Sequence, residues 1–247
     1  MKTKHLNIKN VTTIFAYIAI LISIGCSGKN NIIIENFNFR YELDGEGQNL
    51  HFIDKNTGND YLFKDTISYC ASVIKDGNNF NVTSANLKDD TLYLEFSQVA
   101  ATAKLAIAKN KDWINFKVAD FSGTVESFTF MNIPLTLEGM TSEPFAACAL
   151  SMNIFTHVRQ LPALQTHLWA SCYERFGING AELAVLGVPQ KEILPVIRNV
   201  MKTAKDVPFS DKGGAWAQLE KEGYGSYLMD FGSLTEKTVY EIINQCK

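Results

Sequence analysis

From Ile32 to about Asn132 the chain repeats one pattern, a short run of alternating apolar and polar residues followed by a turn. Trp113 to Val118 reads W-I-N-F-K-V. Phe37, Phe39 and Tyr41 alternate with Asn38, Arg40 and Glu42, and Leu92, Leu94 and Phe96 with Tyr93 and Glu95. Successive side chains of a strand point to opposite faces, so each run describes a strand with one apolar face. Turn signals separate the runs at Asn56–Asn59, Lys109–Asp112 and Ser122-Gly123, and Asp76-Gly77 is a strong hairpin signal. Short strands at this spacing predict an antiparallel β-sandwich, and the polar alternate face tells against a parallel sheet covered on both sides. With 46% hydrophobic and 11% aromatic residues, the chain has what a packed core needs.

After Ile133 the pattern loosens around Pro134, Pro144 and Pro162. Ala146–Met152, Gln165–Tyr173 and Ala181–Val188 are the strand-like stretches. A helix is expected from Pro189-Gln190-Lys191-Glu192 to about Ala204, striped by Ile193, Val196, Ile197 and Val200. Pro195 inside it marks a one-turn shift in its true start. The sandwich is therefore assigned to 32–205, and the polar stretch 206–223, with Pro208, Gly213 and Gly214, reads as a linker.

Residues 224–247 read differently. Tyr224–Phe231 has strand character, Ser233-Leu234-Thr235-Glu236 is a capping box, and Val239, Ile242 and Ile243 stripe the helix that follows. A strand and an amphipathic helix make the first half of a βαβ unit. The reading is an incomplete βα piece, the first unit of a truncated (β/α)8 barrel. The alternative is a complete protein whose last helix packs on the sandwich.

The N-terminus carries Lys2, Lys4 and Lys9, then an apolar run from Val11 to Ile24, then Gly25-Cys26-Ser27-Gly28. A basic head, a short apolar core and a small-residue exit make a secretory signal over residues 1–25. The run is short for a bilayer span, which takes about 20 residues. Cys26 at the cut resembles the lipobox of bacterial lipoproteins, with Ser23 where leucine is usual. That resemblance implies lipidation of Cys26, a tether over 26–31, and an exported protein anchored to the cell envelope, the outer membrane being the expected membrane. An ordinary signal peptide and a transmembrane anchor are the alternatives. Removal of 1–25 takes away three lysines and no acid, leaving 20 basic and 26 acidic residues, net −6. Such a chain lacks the basic face that nucleic acid wants. Cys70, Cys148 and Cys172 sit among small or apolar residues and read as buried thiols. Bridges among them and Cys246 stay open in an oxidising compartment.

No nucleophile elbow, HExxH, Walker A or strand-borne GxGxxG is present, so no cofactor or metal is expected and no catalytic residue is assigned. The densest polar-aromatic stretch runs from Thr156 to Arg175 and holds His157, Arg159, Gln165, His167, Trp169, Tyr173, Glu174 and Arg175. Aromatic faces stack on sugar rings while Arg, His and Glu reach hydroxyls, so these residues are candidates for a carbohydrate site. The competing reading puts Trp169 and Tyr173 in the core and makes Glu174–Arg175 a surface ion pair worth little. Trp216 and Asp230 form a second candidate group. Asp230 would stand at the carboxyl end of a first barrel strand, the face that carries (β/α)8 active sites. Glycoside hydrolysis, however, needs a second carboxylate.

Phe130-Met131-Asn132-Ile133-Pro134, His157-Val158-Arg159-Gln160-Leu161-Pro162, Lys212–Trp216 and Gly225–Gly232, together with the lipobox, resemble the front of large Bacteroidetes-type lipoproteins of glycoside-hydrolase architecture. In those a galactose-mutarotase-like β-supersandwich precedes an α-galactosidase-like (β/α)8 barrel. The resemblance implies a domain that packs on its own barrel and contacts glycan without being catalytic alone. A stand-alone glycan-binding lipoprotein of a polysaccharide-uptake system and an envelope structural protein are the rivals.

Overall fold

A computed structural model describes residues 31–159, 165–204, 206 and 235–245. The expected signal 1–25, the expected tether 26–31 except Asn31, nearly all of the expected linker, the strand-like Tyr224–Phe231 and Cys246 lie outside the described residues. The protein is mainly β, with fourteen strands in three antiparallel sheets among the described residues. β1 (Ile32–Glu35), β2 (Phe39–Leu43) and β3 (Asn49–Asp54) form a small meander.

The five-stranded sheet has the order β12-β13-β10-β4-β5 and is built from β4 (Ser72–Lys75), β5 (Asn78–Asn81), β10 (Ser127–Pro134), β12 (His157–Val158) and β13 (His167–Tyr173). The six-stranded sheet has the order β11-β14-β9-β8-β7-β6. Its strands are β6 (Ser84–Lys88), β7 (Thr91–Phe96), β8 (Ala101–Lys109), β9 (Trp113–Ser122), β11 (Phe145–Ser151) and β14 (Glu182–Pro189).

The predicted alternation is realised most cleanly in β9, where Ile114, Phe116 and Val118 are buried while Trp113, Asn115 and Lys117 point outward. The Asp76-Gly77 hairpin joins β4 to β5, with both residues at positive φ (50° and 72°), as a type I′ turn requires. Phe37 departs from the expectation. It lies in the turn between β1 and β2 rather than in the apolar row with Phe39 and Tyr41, and is 64% exposed. Asn36 explains why: its side-chain oxygen accepts from the backbone N–H groups of Asn38 and Phe39, which turns the chain before β2 begins.

The two large sheets meet at Phe128 of β10. Its ring lies 5.8 Å from Phe96 of β7, edge-on, and 5.1 Å from Phe121 of β9. The meander closes against the six-stranded sheet where Phe39 meets Gly187. A Cβ at Gly187 would stand 3.0 Å from ring carbons of both Phe39 and Phe145, so any larger residue there must push the rings back by a few tenths of an ångström.

Helix α1 (Ile193–Met201) covers the outer side of β14, burying Val196, Val200 and Met201 against Ala184, Leu186 and Val188. It starts one turn later than Pro189, after a 3-10 turn at Gln190–Glu192. Pro195 then falls within the first helical turn, where its missing N–H costs no hydrogen bond. Of the predicted capping box of helix α2 (Glu236–Gln245), Ser233, Leu234 and the Glu236 side chain lie outside the described residues. Thr235 Oγ1 accepts from the Thr238 backbone N–H at 3.3 Å, and Thr238 Oγ1 accepts in return from Thr235 N–H at 2.8 Å. Its Val239, Tyr240 and Ile243 are exposed.

Candidate functional site

Directly paired residues of an antiparallel sheet share a face. On the inner face of the five-stranded sheet the row Cys172, Phe128, Val73, Phe80 runs across four strands into the core. The adjoining row, His157, Ser171, Thr129, Ser72, Asn81, crosses all five strands on the opposite face. A parallel row of Tyr173, Ser127, Ile74 and Asn79 lies beside it, and the pair Trp169–Asn132 stands on its other side. Five strands at about 4.8 Å spacing make this face about 19 Å wide, with Ser127, Thr129 and Ser171 in its middle buried.

The aromatic residues gather at the β12–β13 end. The His157 ring meets Trp169 edge-on at 5.5 Å and lies 6.3 Å from Tyr173. Between those rings, Ser171 is 2% exposed and its Oγ has no protein hydrogen-bond partner. A buried hydroxyl left without a protein partner costs about 1–3 kcal/mol. Trp169 and Tyr173 are half-buried on this outer face and do not belong to the sandwich core.

Arg159 and His167 form a defined hydrogen-bonded chain. Asn132 Nδ2 donates to the Tyr69 carbonyl at 2.7 Å, which fixes the orientation of the Asn132 amide. Asn132 Oδ1 then accepts from His167 Nε2 at 2.7 Å. The remaining ring nitrogen, Nδ1, accepts from Arg159 Nη1 at 2.5 Å. His167 is thus a neutral Nε2–H imidazole. Burial, reinforced by the Arg159 charge, lowers its pKa to about 4. Both ring nitrogens are occupied, so His167 offers no free lone pair to a metal or a sugar and serves instead to hold Arg159. Among the described residues no three His, Cys, Asp or Glu side chains gather to hold a metal ion.

Glu174 and Arg175 lie beyond the end of β13 in a 3-10 turn and are exposed. Arg175 stacks over Phe176 at 4.4 Å and over Tyr173 at 5.9 Å, where a surface pair with Glu174 was the competing expectation. Trp216 and Asp230 lie outside the described residues, as does Cys26. Cys70, Cys148 and Cys172 are free thiols, and burial pushes each up to about 12.

Sequence reading missed Ser72, Asn81, Thr129, Asn132 and Ser171, because short polar residues scattered over 100 positions carry no motif. It also missed a separate concavity of about 410 Å³ on the outer face of the six-stranded sheet, lined in part by Trp113, Asn115, Lys117 and Glu182. There Asn115 Nδ2 donates to Glu182 Oε1 at 2.9 Å, so its polar groups already satisfy one another. Compared with known proteins, the chain matches no family model and no curated protein.

Proposed function

We propose that the sandwich is a glycan-contacting, non-catalytic domain, and that the outer face of its five-stranded sheet is the contact surface. The observation that carries this reading is the cluster of the His157, Trp169 and Tyr173 rings on that face, with His157 exposed and the other two half-buried. Aromatic faces offer apolar contact to the C–H side of a sugar ring, and the exposed amides of Asn79 and Asn81 at the far edge of the face offer donors and acceptors. A width of about 19 Å suits an extended chain better than a single small molecule.

The lipobox-like Gly25-Cys26 supports an exported, lipid-anchored location, in the bacterial envelope and at the outer membrane. The strand-and-helix signal at 224–246 supports placing the sandwich ahead of a glycosidase-like barrel that would supply the hydrolytic carboxylates. The test is affinity electrophoresis of the purified full chain against a panel of soluble plant and algal polysaccharides. Retardation by at least one of them, abolished by Trp169→Ala in a protein that keeps its thermal transition, is the expected result. Unchanged mobility across the panel would exclude the reading.

A further inference from the structure

A cavity of about 220 Å³ opens where β10 ends and β13 begins, lined by Pro134, Leu135, Arg159, Gln165, Thr166 and His167. Its lining holds one cation and no acid. Among the described residues no carboxylate pairs with Arg159, and Gln160 to Leu164 add no acidic side chain to the sequence between Arg159 and Gln165. Arg159 is exposed, yet it is not free to swing, because His167 Nδ1 holds one of its N–H groups at 2.5 Å.

A guanidinium has five N–H donors in a planar fork. His167 uses one of them, and among the described residues no other group accepts from the rest. The hold reaches back through His167 and Asn132 to the Tyr69 carbonyl, so the fork is aimed by the sheet itself. An arginine that only lays its stem along apolar surface would need no such acceptor. The position is also continuous with the face described above. The Arg159 backbone N–H donates to the Trp169 carbonyl at 3.3 Å, two residues along from the His157–Ser171 pair, which sets Arg159 beside Trp169 on the same side of the sheet.

We infer that Arg159 recognises an acidic group, a carboxylate or a sulfate ester, on the glycan this face takes, so that the ligand class is an anionic glycan. A planar fork with donors that no described residue uses matches two oxygens of either group. The inference rests on the glycan reading above. Nonspecific attraction is not the source, since the chain carries 26 acidic against 23 basic residues.

The test is calorimetric titration of the full chain with matched oligosaccharides. Tetragalacturonate against its methyl ester isolates the carboxylate, and a dextran sulfate oligomer against plain dextran isolates the sulfate. At least one acidic member should bind roughly tenfold tighter than its neutral partner, the scale of a charge-assisted hydrogen-bond pair. Arg159→Gln should erase that ratio, Arg159→Lys should restore part of it, and both variants should keep the wild-type melting temperature. Equal binding of acidic and neutral members, or an acid preference that survives Arg159→Gln, overturns the inference and leaves the glycan reading standing. No binding by any oligosaccharide or polysaccharide overturns both.

Discussion

Arg159 Nη1 donates to His167 Nδ1 at 2.5 Å, and this single contact fixes the chemistry of both residues. It makes His167 an acceptor at one nitrogen while Asn132 makes it a donor at the other. A protonated imidazole would set two N–H groups against a guanidinium and an amide, only one of which can accept. His167 is therefore neutral and structural, and Arg159 is the group left facing outward.

That arrangement has a pH signature. Burial first, then the Arg159 charge, lowers the folded-state pKa of His167 to about 4, while an unfolded histidine titrates near 6.5. Between those values the unfolded chain takes up the proton first, so His167 lowers stability as pH falls from about 6.5 towards 4. NMR titration should show the Nε2–H tautomer and a midpoint near 4, and Arg159→Gln should move that midpoint upward. A midpoint near 6.5 in the wild-type chain would contradict the hydrogen-bonded chain from Tyr69 to Arg159.

Trp169→Ala separates a site residue from a core residue. Trp169 is half-buried on an outer face, so its loss should cost less stability than the roughly 3–5 kcal/mol of a core aromatic, and should weaken glycan affinity by roughly 1–3 kcal/mol. Thermal unfolding and affinity measured on the same variant give both numbers. A large stability loss with unchanged affinity would return Trp169 to a packing role.

Gly187→Ala tests how the meander is joined to the sandwich. The added methyl would meet the Phe39 and Phe145 rings at 3.0 Å, inside a fully buried contact. Destabilisation of about 1–3 kcal/mol is expected, the usual cost of overpacking. A variant as stable as wild type in urea would show that the two rings can yield.

Cys70 and Cys172 should resist alkylation at pH 8 in the folded protein, because burial pushes both thiols up to about 12 and leaves almost no thiolate to react. Peptide mapping after iodoacetamide treatment should find them unlabelled until denaturant is added. Rapid labelling of either in native buffer would contradict the burial.

Much of the fold was legible in the chain because its strands are amphipathic. The alternation at Trp113–Val118, the hairpin at Asp76-Gly77 and the strand ahead of Tyr173 are local signals that tertiary packing did not override. Phe37 misled because a turn made by the Asn36 side chain interrupts an otherwise regular alternation. At the start of α2, Thr235 and Thr238 satisfy each other's amides, a pairing of two threonines three residues apart that the capping-box reading passed over. The candidate site was only half legible. His157, Trp169 and Tyr173 stand out by composition, and the structure brings their rings together. Ser72, Asn81, Thr129 and Ser171 join them only through strand pairing over long sequence separations. The neutral state of His167 depends on Asn132, 35 residues away, which no local pattern announces.

In the proposed function the outer face of the five-stranded sheet receives the ligand. Two-dimensional amide and indole NMR of the full chain, titrated with the glycan that retards it most, tests this directly. The largest shifts should fall on the Trp169 indole and on the amides of His157, Thr129 and Ser171, with Trp113 unmoved. Shifts centred on Trp113, Asn115 and Lys117, with the His157–Trp169 face silent, would contradict it and place the ligand on the opposite sheet.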